Sequence, residues 1–214
     1  MKTVRGWSFP DADEFMAGEI NEDGTYQASH LHAALAHVKT WEAALDGGGH
    51  VGTWSRLLSA KFARVIAAEP SQDTYDALVA NMAAFGCSNV ETLNVALGQV
   101  AGTVSMAPLE GKAEALKNTG ARFVAEGGTI RRITIDSLGL PSLGFIKLDI
   151  EGSEPLALLG ARETLARCKP IVLYENKNLW RRFGMNADAV VQILSKARYR
   201  FLERAGCDQI WGPA

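Results

Sequence analysis

The sequence predicts an α/β domain with a mainly parallel sheet and helices on both faces, and three observations predict it. Short β-like runs alternate with amphipathic helical runs from about residue 42 to the end of the chain. One of the first strand-to-helix turns is glycine-rich, and an acid closes the next strand 23 residues after the first strand's Asp46, a pattern of doubly wound sheets. The chain has 214 residues, 47% of them hydrophobic and 21% charged, enough for a full core in one domain.

Each element follows from its residues. Residues 1–27 are polar and glycine-punctuated, which reads as an arm or short ribbon outside the core. Residues 28–39 place Leu31, Leu35 and Val38 on one helical face. Residues 42–46 form the first strand, 47–52 its glycine turn, and a helix runs to about Phe62. Residues 64–69 (RVIAAE) make the second strand, and Tyr75, Leu78, Val79, Met82 and Phe85 give the next helix an apolar face. A third strand is predicted over 90–96. Residues 97–135 break the rhythm with six glycines, including Gly111, and hold two strands, 102–106 and 129–135, around a polar loop. Regularity returns with a strand over 144–150, one helix over 154–168 and a strand over 171–175. A helix near 186–197 and strands near 199–203 and 207–211 close the chain.

Composition excludes several classes. No run of about 18 apolar residues is present, so no membrane-spanning helix is expected. The first residues lack the apolar stretch of a secretory signal, and three cysteines without a C-x-x-C pair suit a reducing, cytoplasmic setting and no zinc ribbon. A net charge of -2 and a pI near 6.1 offer no basic field for bare nucleic acid. Oligomeric state is not legible.

In parallel sheets ligands bind outside the carboxyl ends of the strands, so the chemistry is sought there. The first strand ends in Asp46-Gly47-Gly48-Gly49-His50-Val51-Gly52, whose glycines permit a sharp turn and close ligand approach. Glu69, at the end of the second strand, is placed to accept ribose hydroxyls. The frame D-x-G-x-x-x-G is neither a dinucleotide fingerprint nor a P-loop, since no lysine follows the glycines. A carboxylate at its head, if it faces the pocket, repels pyrophosphate and suits a cationic ligand such as S-adenosylmethionine. An ordinary glycine turn with a solvated Glu69 is the plainer alternative.

The second constellation is FIKLDIEGSE, residues 145–154. Lys147, Asp149 and Glu151 recur with period two on what should be a buried strand, which is costly unless they pair or meet a ligand. Either Lys147 and Asp149 form an ion pair, or Asp149 and Glu151 open onto the pocket. Ser153 is expected to cap the following helix, with Glu154 favoured by its dipole. His30, His32 and His37 read as surface or core-edge histidines, whereas His50 lies in the glycine turn and can meet a ligand. Trp180, Arg181 and Arg182 line an acceptor pocket or form a solvated turn, and Trp7, Trp41, Trp54 and Trp211 read as packing residues.

DGGGHVGTWS, VIAAEPSQDTYDALVANM, TIDSL, FIKLDIEGSEPLALLGARETL and KPIVLYEN, in this order from about Trp41 to Asn176, resemble the FkbM family of S-adenosylmethionine-dependent methyltransferases. The resemblance implies a Rossmann-like class I methyltransferase sheet of seven strands, mostly parallel with the last antiparallel, over residues 41–214 behind an arm and helix at 1–40. It implies cofactor contacts from Asp46, Gly48, Gly52, Glu69, Asn94, Val95 and Ala96, and places Asp149 and Glu151 near the transferring methyl group. By their position at the same carboxyl edge, Gly49, His50 and Asp149 are further cofactor candidates, and Glu175 joins Asp149 and Glu151 as a catalytic candidate. Gly49 departs from the family loop, which carries alanine there. The implied reaction is O-methylation of a small hydroxyl-bearing acceptor, a sugar or other metabolite. Neither [DN]-P-P-[YF] after the fourth strand nor a Pro-Cys nucleophile is present, so amino or cytosine-carbon methylation of nucleic acid is not indicated.

Two further readings stay open at this level: a nicotinamide-dependent oxidoreductase on a similar sheet, and a nucleoside-binding module without turnover. A divalent metal is a further expectation. Asp149, Glu175 and Asn176 end neighbouring strands and would offer three oxygens to Mg²⁺, unless Glu175 is simply the base or pairs with Lys147 or Lys177.

Overall fold

The structure is a computed structural model that describes residues 1–108 and 117–214. Gly111, part of the expected polar loop, lies outside them. The sheet at its centre has seven strands: β3 (Ala43–Gly47), β4 (Arg64–Ala68), β5 (Val90–Leu93), β10 (Phe145–Leu148), β11 (Ile171–Glu175), β12 (Tyr199–Ala205) and β13 (Asp208–Pro213). Their order is β12-β13-β11-β10-β3-β4-β5, with β13 antiparallel to both neighbours and the pairs from β11 to β5 parallel. The order turns between β3 and β10, where Lys147 stands opposite Asp46 and Leu148 opposite Gly47. That is the switch point where the carboxyl ends leave a crevice.

Helices cover both faces. On one side α2 (Ala28–Leu35) and α3 (Thr53–Ser59) bury Leu31, Trp54, Leu58 and Phe62 against Ala44, Phe145 and Leu173. On the other, α5 (Glu154–Leu159), α6 (Arg162–Cys168) and α7 (Ala189–Lys196) bury Leu158, Leu165, Val190 and Leu194 against Leu45, Ile146 and Val172. At about 25 cal/mol per Å² of apolar surface, each such side chain contributes roughly 1.5–3 kcal/mol.

The structure differs from the sequence reading in several places. The arm is a ribbon, β1 (Lys2–Val4) with β2 (Trp7–Phe9), followed by α1 (Phe15–Glu19), but it is not peripheral. Trp7, Phe9, Met16 and Ile20 are buried in a cluster with Val51, Leu78 and Met82. Asn81 on α4 (Gln72–Ala84) holds the arm: its amide donates to Ser8 O and Val51 O, and its Oδ1 accepts from Ser8 N. That turns α4 toward Asn81 and leaves Val79 exposed rather than on the buried face.

The expected third strand stops at Leu93. Beyond it β6 (Ala96–Leu97) joins a second sheet, β6-β9-β7-β8, made with β9 (Ile130–Ile133), β7 (Gly102–Pro108) and β8 (Arg122–Glu126). The strand β8 was not legible in the sequence. The expected single helix over 154–168 is broken at Gly160, where an added Cβ would lie 2.2 Å from Gly98 O. The chain just after β6 packs against that break, which leaves room there for glycine alone. Trp41, expected to pack, is 41% exposed.

Candidate active site

A cleft enclosing about 1040 Å³, part of it open to solvent, lies over the carboxyl ends of β3, β4, β10 and β11. Its floor is Gly48, Gly49 and His50, its far wall Glu69, Val95 and Ala96, and its near end Asp149, Glu151 and Glu175. The roof comes from segments outside the central sheet: Phe15, Met16 and Tyr26 of the arm, Met106 and Val124 of the second sheet, and the turn Asn118–Gly120.

The glycine turn is held from both sides. Gly48 has φ +78°, and Gly48 N and Gly49 N both donate to Ala68 O at the end of β4. Beneath the turn, Asp46 is fully buried and does not face the cleft. Its Oδ2 accepts a 2.6 Å hydrogen bond from Ser55 Oγ, and Lys147 Nζ lies 3.2 Å from its Oδ1. Lys147 also donates to Gly48 O at 3.0 Å and lies 3.9 Å from Asp149. Burial works against its charge, but Asp46 and Asp149 outweigh burial and hold the ammonium above the ordinary lysine range. Asp46 is thus the anchor of the turn, and the charge argument drawn from it passes to the acids that do line the cleft.

Gly52 and Asn94 also turn away. A Cβ on Gly52 would meet Met82 Cε at 2.6 Å, so its glycine serves packing on α4. Asn94 Nδ2 donates to the carbonyls of Glu69 and Pro70, shaping the wall that Val95 and Ala96 form. At Gly49, by contrast, a Cβ would find nothing nearer than 3.5 Å, so the family's alanine would fit.

Glu69 is buried with its carboxylate pre-oriented: Oε2 accepts from His50 N at 3.0 Å, and Oε1 accepts from Ser71 N and Thr74 Oγ1, both at 2.9 Å. Glu69→Ala is expected to weaken binding of S-adenosylhomocysteine by about 1.5–3 kcal/mol, the range for a charged acceptor. Calorimetry checks this; unchanged affinity would place the ribose elsewhere.

Three carboxylates meet at the near end. Asp149, Glu151 and Glu175 each offer an oxygen within 4.8 Å of the others. Burial, then the Asp149 charge, raises Glu151 to about 7, and the same two causes raise Glu175 above the carboxylate range. Lys177 Nζ lies 2.8 Å from Glu175 and 3.9 Å from Glu151. Asn176 does not line the cleft, so Glu151 stands where the sequence reading expected an amide. Both alternatives for this strand hold in part: Lys147 pairs with Asp149 at 3.9 Å but sits nearer to Asp46, and Asp149 also lines the cleft. Tyr26, missed by the sequence reading, lines the cleft, and its hydroxyl is pushed up to about 12 by burial and the charges of Asp149 and Glu175.

Three other expectations change. Trp180 is buried in the core, its Nε1 donating to Asn186 O, and does not line the cleft. Ser153 makes no capping bond; Glu154, buried, turns back to accept from Ile150 N and Gly152 N instead. Trp54 packs as expected but also lines the cleft, and its buried Nε1 has no partner among the described residues.

A cofactor with a ribose, a cationic centre and several polar groups fits this cleft. Besides Trp54 Nε1, the buried Ser153 Oγ and His50 Nδ1 lack partners among the described residues, and all three residues line it. Native structures seldom leave such groups unpaired without a ligand or water.

Comparison with known proteins agrees with the geometry. The sequence profile of the methyltransferase FkbM domain matches residues 46–201. The FkbM methyltransferase of Methylobacillus flagellatus KT superposes with a TM-score of 0.56 at 20% identity, over 80% of this chain and 43% of that one. The chain therefore spans less than half of that protein's length. Precorrin-6y C5,15-methyltransferase of Geobacter metallireducens GS-15 gives 0.51 at 12% identity, over 96% and 91% of the two chains. A SAM-dependent methyltransferase from Aquifex aeolicus gives 0.50 at 15%, over 94% and 93%. At these identities the likeness is one of fold. No curated protein sequence matches the chain.

Proposed function

The chain belongs to the FkbM family of S-adenosylmethionine-dependent methyltransferases, and from that premise we propose that it methylates a hydroxyl oxygen of a small acceptor, a sugar or other metabolite. The observation that carries the reading is the meeting of Asp149, Glu151 and Glu175 at one end of the cleft whose other end is Glu69. The nicotinamide alternative loses its support with the family assignment.

Bound S-adenosylmethionine supplies a methyl group already activated on a sulfonium. What the chain adds is binding, alignment and the removal of one proton. Gly48, Gly49, His50 and Glu69 form the binding wall, with Val95 and Ala96 against the adenine. Asp149, Glu151 and Glu175 make the opposite end negative, which suits a sulfonium and an ammonium better than a phosphate. The acceptor's O–H proton passes to Glu175 or Glu151, since both titrate near neutrality, where a base works best. Lys177, 2.8 Å away, balances the charge that Glu175 carries before it takes the proton. Tyr26, Met106 and Val124 offer the acceptor an apolar and hydroxylic surface.

A base must be ionised, so kcat/KM should rise with pH and level off above about 7 with Glu151 as the base, or above about 8 with Glu175. Glu175→Gln should lower kcat by on the order of 10²-fold with little change in S-adenosylhomocysteine affinity. Methyl release with a panel of hydroxyl acceptors tests the reading. Activity on amines alone, or an unchanged pH profile in both Glu151→Gln and Glu175→Gln, would overturn it.

A second reading, favoured by the 4.8 Å grouping of the three acids, has them hold Mg²⁺ against the acceptor oxygen. The ammonium of Lys177 already offers a positive charge there. Full activity in EDTA would leave proton transfer alone; loss in EDTA restored by Mg²⁺ would support the metal.

A further inference from the structure

His50 is held in a way that no packing requirement explains. Its Nε2 lies 2.8 Å from Thr119 Oγ1 and 3.2 Å from Asp13 Oδ2. Thr119 Oγ1 in turn lies 2.6 Å from Asp13 Oδ2. Asp13 is fully buried and Thr119 nearly so. A buried carboxylate is expensive, and this one comes from the arm to reach a residue of the glycine turn.

The protons in this chain can be assigned. An ionised carboxylate only accepts, so Thr119 spends its one hydroxyl proton on Asp13. Its oxygen can then only accept from His50, which puts the ring proton on Nε2. In a neutral ring, that leaves Nδ1 a bare lone pair. It is shielded from bulk water and has no partner among the described residues, in a side chain that lines the cleft. Leaving a buried acceptor unmet is costly, so a ligand donor is called for.

Glu69 indicates which donor. His50 N donates to Glu69 Oε2, so the two residues are neighbours on the cleft wall. A carboxylate has about four lone-pair positions, and three on Glu69 are taken, by His50 N, Ser71 N and Thr74 Oγ1. One remains. A ribose diol brings two hydroxyl donors.

We infer that His50 Nδ1 accepts the ribose hydroxyl for which Glu69 has no position left, and that Asp13 and Thr119 are positioning residues that keep the ring in its accepting tautomer. The inference rests on the cofactor reading above and adds a second recognition residue to it. It also gives the arm and the 117–120 turn a task in cofactor selection: they set the proton position of a ring they do not carry.

Calorimetric titration with S-adenosylhomocysteine and its 2′-deoxy and 3′-deoxy forms tests it. On the parent protein each deoxy form should bind more weakly, on the order of tenfold for one lost hydrogen bond. In His50→Phe the ribose form should weaken by about the same factor, and one of the two deoxy forms should bind as well as the ribose form. Asp13→Asn leaves the backbone at position 50 untouched and can offer an amide N–H to Nε2, driving the ring proton onto Nδ1. It should reproduce the same lost discrimination. Were Asp13 only a strut for the arm, all three ligands would weaken by one common factor, and the positioning role would be overturned. Both deoxy penalties persisting in His50→Phe would overturn the inference alone. A parent that binds none of the three would instead remove the cofactor reading beneath it.

Discussion

Gly48→Ala is expected to abolish binding of S-adenosylhomocysteine and to lower the unfolding free energy by on the order of 4 kcal/mol. Gly48 has φ +78°, a region that costs a residue with a Cβ about 1–2 kcal/mol by itself. Steric conflict costs more. The added Cβ would lie 1.9 Å from Asp149 O and 2.9 Å from its carbonyl carbon. That neighbour is backbone at the end of β10, tied back to Gly47 O through Asp149 N, so it cannot swing aside like a side chain. Relief must come from parting the β3 and β10 ends, which moves the floor of the cleft and Asp149 together. Gly49→Ala is the control one residue away, where a Cβ meets only ordinary contacts from 3.5 Å. Denaturant melts and calorimetry on the two variants decide. Parent-like binding and stability in Gly48→Ala would mean that the turn is not the cofactor floor.

Lys147→Met should destabilise the protein by about 3–5 kcal/mol, the cost of leaving a buried charge without its partner. The substitution keeps length and apolar volume, so the effect isolates the ammonium. Asp46 would retain only Ser55 as a partner, in a position with no solvent exposure. Gly48 O would lose its 3.0 Å donor as well, loosening the turn that lines the cleft. Asp46→Asn combined with Lys147→Met removes both charges and should recover a substantial part of the loss. Chemical denaturation of the two single variants and the double variant measures this. Equal, additive losses would show that the pair is not coupled, and the turn's anchor would have to be sought elsewhere.

The two predictions concern residues whose importance was legible in different ways. Gly48 stands in a glycine run that any strand-to-helix turn in a parallel sheet makes conspicuous. Asp46 was equally conspicuous, but as a group facing the ligand. Sequence places it at the carboxyl end of β3; the pairing of Lys147 opposite Asp46 across β3 and β10 is what draws it under the floor. Glu69 was readable because strand end and acid coincide. His50 was readable as a candidate, yet its partners Asp13 and Thr119 lie 37 and 69 positions away in sequence, with no motif linking them.

By itself, then, the sequence determined the alternating strands and helices, the carboxyl-edge positions where ligands can bind, and the family. These are local or period-based properties: an apolar run, a glycine turn and an acid at a strand end keep their meaning without knowledge of what packs on them. Tertiary structure alone decided which face each polar group presents. It buried the arm through Asn81, sent Ala96–Leu97 into a second sheet, broke the helix at Gly160, and turned Asp46, Gly52 and Asn94 away from the cleft. It also gathered Tyr26, Thr119 and Asp13 over the cleft from segments with no periodic signal. The physical reason is common to all of these. A polar group settles where its hydrogen bonds and charge are best met against the cost of burial, and those partners are supplied by chain segments remote in sequence.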